Sequence, residues 1–204
     1  MKSRAPLLIV IAIVAGLVGV WSAQLFNTTA TPTLIAGTVL PNTRVIPNFK
    51  LTTGDNQPFT LDQFKGHWSV LYFGYTNCPD VCPTTLSTLK QVATQLDTLP
   101  AQQQPQYVFI SVDPQRDTPA QMQSYVNFYR HGMIGLTGEP TQLDILTHAL
   151  GVPIIITPSE NGSYTVDHSA NLYLLNPQGE LYALFTPPFK VDSLAQDLRS
   201  LVAQ

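Results

Sequence analysis

The sequence predicts an α/β sandwich built around a mixed sheet and preceded by one transmembrane helix. Three observations carry that prediction. An uncharged apolar stretch opens the chain, strand-like and helix-like periods alternate from residue 69 onward, and a hairpin pattern followed by one amphipathic helix closes it. The 204 residues leave room for one domain of ordinary size, about 100–150 residues, plus an appendage. A net charge of -3 and a charged fraction of 11% supply no basic patch able to neutralise a phosphate backbone, which argues against a nucleic-acid partner.

Residues 5–26, APLLIVIAIVAGLVGVWSAQLF, carry no charge. As a helix rising about 1.5 Å per residue, this stretch spans the roughly 30 Å hydrocarbon core. It exceeds the roughly 7–15 apolar residues of a signal-peptide core, and bulky Trp21 sits where cleavage after Ala23 would want a small residue. The expectation is therefore an uncleaved anchor. Lys2 and Arg4 lie in the tail, residues 1–4, and no basic residue follows until Arg44, so the N-terminus is expected in the cytoplasm and the rest of the chain on the periplasmic or other extracytoplasmic side. Residues 27–44, rich in Thr, Pro and Asn, read as a linker, and residues 45–204 as the folded domain.

Within the domain, FKLTT and PFTL flank a GDNQ turn and predict a β-hairpin, followed by a helical turn near residues 62–64. SVLYFGY, residues 69–75, is a continuous apolar run, as in a strand buried on both faces. Leu86, Leu89, Ala93 and Leu96 recur at helical spacing and place a helix from near Pro83 to before Pro100. YVFISV, residues 107–112, predicts the next strand. A second helix follows from Pro119 to about Arg130, with Thr118 as N-cap. Residues 140–150 predict a third helix, stopped by Gly151. VPIIIT, NLYLL and ELYALF read as strands, the last two joined by NPQG, and residues 191–202 as the closing helix. This is the order of a thioredoxin-like sandwich with an N-terminal hairpin and a central insertion.

The two cysteines, Cys78 and Cys82, fall at the strand-to-helix turn after residue 75, where α/β sheets place their sites. Each precedes a proline, which biases CPDVC toward a loop, makes Cys82 the expected N-cap and predicts a lowered thiol pKa there. Three readings are open: a permanent disulfide, a thiol–disulfide exchange site, or a metal site. The first would close too short a loop to constrain much chain entropy. The second departs from the usual spacing of two residues between the thiols.

The third reading needs another ligand. His67, His131 and His148 read as surface or half-buried residues, whereas His168 lies on the approach to a central strand, beside the first strand-to-helix loop. Two thiolates and one imidazole select copper over a four-ligand structural zinc, and the same thiols can close into a disulfide when the metal is absent. A peroxidase reading rests only on Thr76, two residues before Cys78.

FGYTNCPDVCP, FISVDPQRDTP, LTG at residues 136–138 and VDHSANLYLLNPQGEL resemble, in order and spacing, the signature blocks of the Sco (SenC) family. The resemblance runs over residues 45–203. It implies a membrane-anchored, thioredoxin-like copper protein that assists assembly of the dinuclear copper site in subunit II of cytochrome c oxidase, by delivering copper or by keeping the acceptor's cysteines reduced. The family's ligands fall on Cys78, Cys82 and His168, making the chain a metallochaperone rather than an enzyme unless the reductase alternative holds. A sensor role is a further alternative. Asn176 stands where the family often has Asp, and Asp167 is a candidate partner for orienting the His168 imidazole.

Overall fold

The computed structural model describes residues 14, 16, 33–130, 132–158 and 163–203. The expected membrane span falls outside them except for Val14 and Gly16, as does His131. Among the described residues no helix is long and apolar enough to cross a membrane. Residues 33–204 form one compact unit.

Ten strands and four α-helices make up the described fold. In chain order they are β1 (Gly37–Arg44), β2 (Lys50–Thr53), β3 (Pro58–Thr60), β4 (Ser69–Gly74), α1 (Val81–Leu96), β5 (Gln106–Ser111), α2 (Pro119–Tyr129), β6 (Ile134–Thr137), α3 (Pro140–Leu150), β7 (Ile154–Pro158), β8 (Tyr164–His168), β9 (Leu172–Leu175), β10 (Leu181–Phe185) and α4 (Val191–Val202). The main sheet runs β1-β10-β9-β4-β5-β6-β2-β3, and β7 and β8 pair with each other as a separate hairpin. β4 pairs in parallel with β5, and β5 with β6; β9 lies antiparallel on the other side of β4.

Local sequence explains most of these elements. β4 is buried at all six positions, as its unbroken apolar run requires at the sheet centre. α1 buries Leu86, Leu89, Val92, Ala93 and Leu96 along one stripe and packs against α4. Thr118 caps α2 by accepting a hydrogen bond from the Gln121 N–H, with Pro119 at the first helical position. Gly151 ends α3 at φ 70°, the left-handed conformation glycine adopts without a Cβ clash.

Two expectations are corrected, the linker and the Cys82 cap, and two strands are added. The second half of the expected linker is an edge strand: β1 pairs with β10, with an irregular register between Val39 and Arg44 around Pro41, which an edge tolerates. VPIIIT forms strand β7, as expected, and pairs with β8 in the separate hairpin, which leaves Ile155 and Ile156 largely exposed. β6, only four residues long and containing Gly135, and the half-polar β8 escaped the sequence pattern. Cys82 is not the N-cap of α1. Asp80 holds that position and Cys82 lies within the first turn. Pro83 fits there because first-turn N–H groups have no intrahelical partner to lose.

Candidate metal centre

Three elements converge on one point. β4 ends at Gly74 and launches the loop bearing Cys78, and α1 then carries Cys82 back over the end of β4. β9 starts opposite that end, Leu172 beside Tyr72, so the last residue of β8, His168, arrives next to the cysteines. A Cβ on Gly74 would stand 2.6 Å from the Cys82 Sγ, so the bare glycine backbone is what lets the sulfur lie against the strand.

The ligand atoms of Cys78, Cys82 and His168 all lie within 4.8 Å of one another. His168 Nε2 is 3.3 Å from Cys82 Sγ, and His168 Nδ1 is 3.0 Å from the Ser169 carbonyl oxygen. A carbonyl only accepts, so Nδ1 carries the proton and Nε2 presents a lone pair toward the sulfurs. Ser169, not Asp167, therefore orients the ring; Asp167 faces solvent. Tyr75 and Tyr72 set their rings edge-on to the imidazole at 5.9 and 6.1 Å.

Electrostatics differ from the sequence expectation at Cys82. Burial pushes its thiol up to about 12, and the neighbouring Cys78 thiol adds to the rise. The lowered value expected from a helix start is overridden because the sulfur is fully buried. Burial likewise holds His168 below the usual imidazole range, opposed by its bond to Ser169 and by the Asp167 charge. The resting pair is thus a neutral thiol facing a neutral imidazole. The Tyr72 hydroxyl, buried beside Cys82, is placed to donate to that sulfur once it ionises.

Cys78 and His168 open onto a cleft of about 390 Å³ rimmed by Asp80, Val81, Thr165 and Asp167. Both cysteines are free thiols. His67 and His148 are exposed and stand apart from the cluster, and the Thr76 hydroxyl is engaged by Asp117, which removes the feature behind the peroxidase reading. Sequence reasoning missed Tyr75, Arg116, Asp117 and Tyr164 around the site; for Arg116 and Asp117 the signal was the dense polar turn DPQRD, and Tyr75 and Tyr164 had none.

The donor set fits a soft metal. Two sulfurs and an imidazole nitrogen, with no fourth protein ligand in the cluster among the described residues, suit a three-coordinate Cu(I) and fall short of a structural zinc site. Fold and site together define a thioredoxin-like metal-binding protein with a Cys–Cys–His centre beside the end of the central strand.

The chain belongs to the SCO1/SenC family, whose pattern it matches over residues 38–203. It is 43% identical over 166 residues to a putative copper-binding protein of Stutzerimonas stutzeri, covering 80% of each chain. With the mitochondrial SCO1 homolog 1 of Arabidopsis thaliana it shares 35% identity over 162 residues, 76% of this chain and 46% of the longer plant protein. The crystal structure of Arabidopsis ScoI with copper bound superposes with a TM-score of 0.72 at 33% identity, covering 78% of this chain and 99% of that one.

Proposed function

We propose that this protein is a copper chaperone, anchored by residues 5–26 with its domain on the extracytoplasmic side, that supplies copper to the dinuclear site in subunit II of cytochrome c oxidase. The observation that carries the reading is the convergence of Cys78, Cys82 and His168 within 4.8 Å. Copper is the cargo, held as Cu(I) by two thiolates and one imidazole. The chain's own contribution is a mixed enclosure. Cys82 is sealed in the core, while Cys78, itself buried, and half-buried His168 line the cleft, so an acceptor's ligands approach from one side and displace that cleft-lining pair first. Loading requires the two thiols to lose their protons, which couples copper uptake to pH and to the redox state of the pair.

A second reading, reduction of the acceptor's cysteines, is favoured by two free sulfurs at close range. In that exchange Cys78 and Cys82 are oxidised to a disulfide while the acceptor disulfide is reduced to two thiols. Anaerobic Cu(I) titration of the reduced protein, wild type against His168→Ala, tests the leading proposal. A loss of more than about ten-fold in affinity is expected, each tenfold step being about 1.4 kcal/mol; equal affinities sink the three-ligand site. Full disulfide-reducing activity in His168→Ala, with weakened copper binding, would assign reduction to the cysteines alone.

A further inference from the structure

We propose that the turn Asp113–Asp117 positions both halves of the metal centre, one carboxylate holding the cysteine loop and the other holding the histidine hairpin; this rests on the three-ligand copper reading above. The turn leaves the end of β5, next to the end of β4 from which the cysteine loop starts. Its two carboxylates are 3% and 1% exposed at Asp113 and Asp117. Buried charges are costly unless hydrogen-bonded, and both of these find partners outside the turn.

Asp117 faces the cysteines. It accepts from the Thr76 backbone N–H at 3.1 Å, from the Thr76 hydroxyl at 2.5 Å and from the Ser111 hydroxyl at 2.7 Å. Thr76 lies two residues before Cys78, so this carboxylate sets where the loop departs from β4.

Asp113 faces the histidine. It accepts from the Tyr164 hydroxyl at 2.6 Å and pairs with the Arg116 Nε. Arg116 in turn donates from Nη1 to the Tyr164 carbonyl at 3.1 Å and stacks its guanidinium 3.9 Å from the centre of the Tyr164 ring. Tyr164 begins β8 and His168 ends it. With a period of two, Tyr164, Val166 and His168 share one face of the strand, and the burial of Val166 between two exposed neighbours shows that this face turns inward. Arg116 also lies 5.5 Å from the Tyr75 ring, which contacts the His168 imidazole.

The hairpin needs such a clamp because β7 and β8 ladder only with each other and not with the main sheet. Its seat on the domain depends on side chains, and the turn grips it at the end opposite His168. Arg116 is therefore a positioning residue: it touches no metal but fixes where the third ligand stands. Preorganised ligands bind without the entropy of assembling them.

The test uses the purified full chain as wild type, Arg116→Ala, His168→Ala and the double variant. Each is read by anaerobic Cu(I) competition and, in its metal-free form, by hydrogen exchange at residues 164–168. Arg116→Ala is expected to weaken copper binding about ten-fold, the lower end of what groups orienting a metal ligand contribute. The same substitution in the His168→Ala background should change affinity by less than two-fold, and exchange in β8 should quicken. Tyr164→Phe, which deletes only the bond to Asp113, should give a smaller loss in the same direction and serves if Arg116→Ala does not fold. Unchanged affinity, or equal losses in both backgrounds, would overturn the positioning role. Equal copper binding by wild type and His168→Ala would overturn the three-ligand reading instead, and β8 exchange would still decide whether the turn holds the hairpin.

Discussion

His168 Nε2 stands 3.3 Å from Cys82 Sγ although the residues are 86 positions apart, and the contact joins the separate hairpin to the first turn of α1. The ring's Nδ1 proton is committed to the Ser169 carbonyl, so Nε2 faces the sulfur as an acceptor and the thiol S–H as its donor. A metal held by Cys78, Cys82 and His168 would take the place of that shared proton. The site is thus held ready by a hydrogen bond that a bound metal would replace, and its position is a tertiary product of three elements.

The raised Cys82 thiol leads to a prediction about reactivity. With its value pushed up to about 12 by burial, it holds far less thiolate at pH 8 than a free cysteine. Cys82 is also fully buried, whereas Cys78 borders the open cleft. Brief alkylation of the metal-free reduced protein should modify Cys78 well before Cys82, and the lag should shorten as the pH rises. Peptide mass mapping over a time course checks this; equal labelling rates would mean that Cys82 is not sealed in the apo protein.

Gly74→Ala should destabilise the domain by about 1–3 kcal/mol, the usual cost of overpacking. The added Cβ would meet Cys82 Sγ at 2.6 Å and the Phe109 ring at 2.8 Å, and both lie in the packed core. The unfolded chain loses entropy by the same substitution, a gain of about 0.4–1 kcal/mol for the folded state, too small to offset the clash. Urea unfolding gives the magnitude, and a parallel loss of copper affinity shows that the sulfur has been displaced. A midpoint at or above wild type would mean that the strand and helix move apart freely.

Much of this architecture was legible because the signals are local. Thr118 and Pro119 mark a helix start by their own chemistry, and Gly151 marks a stop. The metal cluster was legible through residue type, since thiols and an imidazole admit few other combined uses. What escaped depended on partners remote in sequence. β1 carries Pro41 and Asn42 and becomes a strand only through β10. The apolar β7 resembles a core strand until its pairing with polar β8 shows it to be a partly exposed hairpin. The Cys82 thiol was misjudged for the same reason: helix position favours ionisation, but burial, invisible in the sequence, dominates. Asn176, the departure from the family pattern, keeps the turn and donates its amide to the Glu180 carboxylate at 3.3 Å, a bond an aspartate could not make. Its side-chain oxygen accepts from the Gln178 and Glu180 N–H groups, the bonds an aspartate would make in that turn.

Asp197→Asn should loosen the start of β1 without disturbing the metal centre. The Asp197 carboxylate, on α4 and 3% exposed, accepts from the backbone N–H groups of Ile35, Ala36 and Gly37 at 2.8, 2.7 and 3.1 Å. Asparagine keeps one acceptor oxygen but presents an amide NH₂ to a donor it cannot satisfy, which costs about 1–3 kcal/mol. β1 is the edge of the sheet, separated from β4 by β10 and β9, so the cysteines lie beyond the disturbed contacts. The expected outcome is a lower unfolding midpoint and faster amide exchange at residues 35–37, with Cu(I) affinity within two-fold of wild type. A variant that loses copper affinity while residues 35–37 keep their protection would mean that Asp197 acts on the site and not on the strand.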